Sequence, residues 1–164
     1  MDFSSIREYF YKLYIRCYLF LLLPLFVFIF LYFEGQAEKS LLVIQDRFLI
    51  LISLPVLCLM SVVYLTTVHW LTRKRLKLYS TEVGLGRKLD KYSEVISLRF
   101  GAGSASSLIM AVGLVTTGNN FFGLFFILIL FWMAVQWPSS KKACKALILK
   151  GDEYKMVLYK KDKF

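Results

Sequence analysis

Residues 17–33 read CYLFLLLPLFVFIFLYF, and no position in that stretch carries a charge. Three more runs share the property: FLILISLPVLCLMSVVYLTTVHWL at 48–71 with His69 neutral, FGAGSASSLIMAVGLVTTG at 100–118, and NNFFGLFFILILFWMAVQWPSS at 119–140. A helix needs about 20 mostly apolar residues, and at least about 17, to cross a hydrocarbon core of about 30 Å. All four runs reach that length. Of the 164 residues 58% are apolar, against about 45–50% in soluble domains, and a soluble domain of this size cannot enclose four such runs. The sequence predicts an all-α integral membrane protein, a single domain over 1–164. Its four transmembrane helices are expected at about 14–33, 48–71, 100–118 and 121–137, with cytoplasmic amphipathic helical segments beside them.

The first run is read as a retained helix. MDFSSIREYFYKLYIR ahead of it is long and contains Asp2 and Glu8, and no A-x-A-like cleavage site follows.

The formal charge of +10 is unevenly spread. Arg7, Lys12 and Arg16 precede the first run, whereas the connection 34–47 sets Lys39 and Arg47 against Glu34, Glu38 and Asp46. The loop 72–99 carries eight cations: Arg73, Lys74, Arg75, Lys77, Arg87, Lys88, Lys91 and Arg99. The turn between the last two runs has none, and the tail 138–164 has eight lysines. Short loops rich in Lys and Arg stay in the cytoplasm. Both termini and the central loop are therefore expected inside, in a multi-pass protein of a bacterial-type inner (plasma) membrane. Four crossings also require both ends on one side.

Local signals refine the spans. Ser5-Ile-Arg-Glu8 fits a capping box, placing a helix start near Ile6. Pro24 and Pro55 fall inside the first two spans, and Glu34-Gly35-Gln36 reads as the end of the first. Ser80 to Gly86 breaks the basic extension of the second span. Leu85, Leu89, Tyr92 and Ile96 then form an apolar stripe at helical spacing that leads into the third. Trp132 and Trp137 mark the inner interface. Pro138 stops the fourth span and Ser139 or Ser140 caps a new helix; the tail is expected as two short helices with Asp152 capping the second, in preference to a hairpin pairing 146–149 with 154–159.

The third run differs from the others in opening on Gly, Ala and Ser. Lipid is as apolar as leucine, so helices associate in a bilayer where small residues let backbones come close. Gly101, Gly103, Ala105, Ser107 and Ala111, widened by Ala102 and Ser106, are the expected helix-packing residues. The occupant of this seam is either a neighbouring span of the same chain, such as span one or two, or another protein chain.

Basic residues beside a bilayer attract anionic headgroups by roughly 1 kcal/mol each. Arg73, Lys74, Arg75, Arg87, Lys88 and Arg99 are the expected anionic-lipid or phosphate contacts. Gly84 and Gly86 before a helix start could present amides to a phosphate, though a hinge between two helices accounts for them better, and Arg99 can snorkel to headgroup phosphate. Lipid explains this basicity without nucleic acid, which is not an expected partner.

Signs of chemistry are sparse. None of the four runs holds an Asp, Glu, Lys or Arg in its interior, which argues against coupled transport. His69 is the sole histidine, and Cys17, Cys58 and Cys144 form no CxxC. No nucleophile–base pair or paired carboxylates stand out. No catalytic residue, metal site or cofactor is expected. The reading is a non-enzymatic accessory or scaffold subunit that assembles through the third span, as a homo-oligomer or in a larger membrane complex. Two alternatives are a pore-forming homo-oligomer lined by the Ser and Thr of span three, and a lipid-modifying enzyme using His69, Arg99 and the Gly84–Gly86 hinge.

Overall fold

The computed structural model describes residues 5–37 and 46–161, and every regular element among them is helical. In chain order these are α1 (Ile6–Ala37), α2 (Arg47–Tyr79), α3 (Leu85–Thr117), α4 (Phe121–Val135), α5 (Ser140–Ala146) and α6 (Gly151–Tyr159). Three of them are long and apolar enough to cross a membrane, and a fourth if α4 and α5 count as one bent span.

Helix α1 starts where the capping signal lies, with Ser5 Oγ accepting from the Glu8 amide at 3.1 Å. Its 32 residues cover about 48 Å at about 1.5 Å per residue, well beyond a hydrocarbon core. It runs through Pro24 to Ala37, past the Glu34-Gly35-Gln36 end expected from sequence. The expected outer loop falls mostly at 38–45, outside the described residues. α2 runs through Pro55, and α3 joins the amphipathic stripe and the small-residue run in one uninterrupted helix of 33 residues.

The fourth span is shorter than expected. α4 has 15 residues, about 22 Å of helix, and ends at Val135 instead of 137. Pro138 lacks an N–H and disfavours helical geometry at Trp137. The Gln136 amide closes the last turn on Trp132 O at 3.2 Å and Met133 O at 3.1 Å. Ser139 then caps α5 by accepting from the Lys142 amide at 3.2 Å, and the chain turns by 78° between α4 and α5.

The tail forms the two expected helices, with one shift of register. α6 begins at Gly151, whose φ of +58° suits glycine. Asp152 therefore sits beside Glu153 in the first turn rather than at the cap, where the helix dipole favours both carboxylates.

By internal contacts the chain divides into two compact units: residues 1–18, 68–99 and 137–164, and residues 19–67 and 100–136. The first has an aromatic core, with Tyr9, Phe10 and Leu13 of α1 and Leu89, Tyr92 and Val95 of α3 almost wholly buried. Ala143, Leu147 and Val157 complete it from α5, the α5–α6 link and α6. Tyr9 Oη donates to Leu89 O at 2.7 Å, so the phenol is satisfied inside. Trp137 lies against Tyr18, with ring centroids 4.6 Å apart, and against Tyr14 at 6.2 Å. The second unit is mostly apolar, its charged residues confined to the stretch 34–47, and broad faces of it, including Phe26, Phe30, Leu59, Val63, Ile127 and Phe131, are exposed. Charge follows the same division. Among the described residues, every Lys and Arg except Arg47 belongs to the first unit.

Candidate functional site

Two features could carry function, one in each unit. In the apolar unit the small residues of α3 lie where large side chains from other helices come close. A Cβ on Gly103 would meet Met133 Cγ and Sδ at 2.7 Å, and one on Gly113 would meet the Phe122 ring at 2.8 Å. A Cβ on Gly101 would lie 3.8 Å from the Phe20 ring, in ordinary contact. The side chains against Gly103 and Gly113 thus come from α4, while α1 serves Gly101. Antiparallel neighbours joined by Gly118-Asn119-Asn120 reach this arrangement with little chain between them.

Gly103, Ser107 and Ala111 are buried, together with Ala102, Ser104 and Ser106, whereas Gly101 is half-buried and Ala105 is exposed. Ser107 Oγ donates to Gly103 O at 2.9 Å and Thr117 Oγ1 to Gly113 O at 2.7 Å. These hydroxyls satisfy themselves on their own helix. Between 100 and 117 the exposed residues are Ala105, Ile109 and Val112, one stripe at helical spacing.

In the charged unit, the six cations expected to meet headgroups have different surroundings. Arg73, Lys74 and Arg75 are exposed near the end of α2, with Lys74 Nζ 3.5 Å above the Trp70 ring. Lys88 is paired with Glu153 of α6 at 2.8 Å. Arg99 is half-buried, and its Nε donates to Thr72 Oγ1 at 2.7 Å while Nη2 is buried without a hydrogen-bond partner. Thr72 Oγ1 in turn donates to Val68 O at 2.7 Å.

Arg87 alone of the six lines a cleft of about 540 Å³, beside Arg16 of α1, Glu82 of the α2–α3 loop, and Asp90, Lys91 and Glu94 of α3. Ser93 and Ser97 form part of its wall. Lys91 Nζ and Glu94 Oε2 are 3.3 Å apart, and Ser93 Oγ donates to Asp90 O at 2.8 Å. The Ser97 hydroxyl is buried and has no hydrogen-bond partner. Sequence reasoning followed the apolar stripe of this helix and passed over its reverse side. Positions 87, 90, 91, 94 and 97 are all polar and recur at helical spacing, which was the available signal. Arg16 joins them only through tertiary structure.

Cys17, Cys58 and Cys144 are buried thiols, and among the described residues no group of three or more His, Cys, Asp or Glu could hold a metal ion. Compared with known proteins, the chain matches no family model, no curated protein and no solved structure.

Proposed function

We propose that the chain is a non-enzymatic, four-span protein of a bacterial-type inner membrane, an accessory or scaffold subunit that holds a compact cationic helical unit at the cytoplasmic face. The observation that carries this reading is the coincidence of charge with structural division. Among the described residues one unit holds every cation but Arg47, and the other exposes long uncharged helical faces. Exposed faces of that size are costly in water and neutral in lipid. Cationic flanks orient the termini and the α2–α3 connection inward. On this reading α4 makes the fourth crossing, while α5 belongs to the cationic unit.

The assembly part of the reading rests on α3. Its Gly103 face is taken up by Met133 within the same chain, so contact with a second chain falls to the stripe of Ala105, Ile109 and Val112. Ala105 is the one small residue there that admits a close backbone.

Paired reporters test the orientation, one fluorescent only in the cytoplasm and one active only outside. Fusions after Phe164 are expected to fluoresce, and insertions within 38–45 to show the external activity. The opposite pattern rejects the topology. For assembly, Ala105→Cys and Ile109→Cys in native membranes are expected to give crosslinked products that Gly103→Cys does not. A monomer from all three removes the scaffold role through this helix.

A further inference from the structure

The geometry points to the cleft between Arg16 and the polar side of α3 as a site for a phosphodiester that carries a primary ammonium, the headgroup chemistry of an ethanolamine phospholipid. This inference rests on the membrane reading above and specifies which lipid the charged unit selects.

Charge balance comes first. Arg16, Arg87 and Lys91 supply three cations to the lining, and Glu82, Asp90 and Glu94 supply three carboxylates. A surface built only to attract anionic lipid has no use for the carboxylates, because each cancels the field of a neighbouring cation. A zwitterion fits both signs. Guanidinium groups present planar, paired donors that match phosphate oxygens, while carboxylates accept from an ammonium. Within the cleft Lys91 and Glu94 engage each other. Arg16 and Arg87 are assigned to the phosphate, and Glu82, with Asp90 adding negative field, to the amine.

Size and position agree with this assignment. A volume of about 540 Å³ lies within the range of about 300–1,000 Å³ typical of small-ligand sites. The Ser97 hydroxyl, buried in the wall without a partner, is the kind of group a ligand oxygen satisfies. Arg16 immediately precedes the uncharged run 17–33, and Ser97 stands three residues before the run 100–118. On the membrane reading both therefore lie at headgroup depth.

The test uses the full chain purified in detergent, with lipid retention followed by native mass spectrometry. The probes are dioleoyl phosphatidylethanolamine, phosphatidylglycerol and phosphatidylcholine. The ethanolamine lipid is expected to be retained about tenfold more strongly than either of the others, since choline cannot donate hydrogen bonds and glycerol carries no cation. Arg16 and Glu82 are both exposed, so substitutions there spare the core. Arg16→Ala should weaken all three lipids, whereas Glu82→Gln should weaken only the ethanolamine lipid and erase its preference. Equal retention of ethanolamine and glycerol lipids by the unaltered chain overturns the assignment, as does an unchanged preference in both variants.

Competition with soluble glycerophosphoethanolamine separates the two sources of the same chemistry. Displacement shows that the free headgroup suffices. Persistent, selective lipid binding assigns the site to the intact bilayer lipid. A chain that leaves the membrane without detergent ends the membrane reading itself, whereas an extracted chain indifferent to ethanolamine ends only the inference about the cleft.

Discussion

A Cβ placed on Gly113 would sit 2.8 Å from Cδ1 and Cε1 of Phe122 and 3.2 Å from its Cγ. Phe122 is fully buried, and a ring responds to such a clash only by moving as a plate. Gly113→Ala is therefore expected to destabilise the extracted protein by about 1–3 kcal/mol, despite the gain of about 1 kcal/mol in helix propensity. Gly103→Ala creates a contact that is nominally tighter, at 2.7 Å, but against the Cγ and Sδ of Met133. A thioether chain can change rotamer where a ring cannot, so Gly103→Ala should cost less than Gly113→Ala. Thermal unfolding in one detergent ranks the two, and the reverse order refutes this account of the seam.

The buried phenol of Tyr9 gives a second expectation. Its hydroxyl donates to Leu89 O at 2.7 Å, linking residues 80 apart in sequence. Tyr9→Phe keeps the ring and removes one hydrogen bond, so the loss should be about 0.5–1.5 kcal/mol. Phe10→Ala empties a fully buried site and should cost about 3–5 kcal/mol. Similar losses from the two variants, measured by the same melting assay, would contradict the packing described for the charged unit.

Much of this architecture follows from local signals. Ser5, Ser139 and Pro138 each act through groups within a few residues of themselves, so the bounds they imply can be read before any packing is known. Gly151 starts α6 by adopting a positive φ, and sequence reasoning gave that role to the better-known capping type, Asp152. The span ending at 137 was drawn by composition, but Trp137 is apolar and not helical, because the proline after it controls its backbone. Tertiary relations were largely hidden. Nothing local says that Met133 fills the Gly103 face, or that Lys88 pairs with Glu153 while its neighbour Arg87 turns into a cleft with Arg16.

That Lys88–Glu153 pair, at 2.8 Å, joins α3 to α6. The lysine is mostly covered but the carboxylate is about a third exposed, so solvent screens the interaction. A double-mutant cycle with Lys88→Met and Glu153→Gln should return a coupling of about 0.5–1 kcal/mol that shrinks as salt rises toward about 1 M. Coupling that is indifferent to salt would mean that the two residues communicate by packing instead.

Arg99 and Thr72 should couple more strongly, because their contact is better shielded. Thr72 is fully buried, and its hydroxyl accepts from Arg99 Nε at 2.7 Å while donating to Val68 O. Thr72→Val preserves the shape and removes the acceptor, stranding a half-buried guanidinium whose Nη2 already lacks a partner. The expected cost is about 1–3 kcal/mol. Arg99→Leu leaves Thr72 still bonded to its own helix, so Thr72→Val should cost far less when Arg99→Leu is already present than in the native chain. Arg99→Lys is not expected to substitute, since an ammonium on a shorter reach lacks the planar donor set. Melting temperatures of the four cycle members decide the matter. Additive losses would show that Arg99 is held by its aliphatic stem, and that its hydrogen bond to Thr72 adds nothing to the stability of the charged unit.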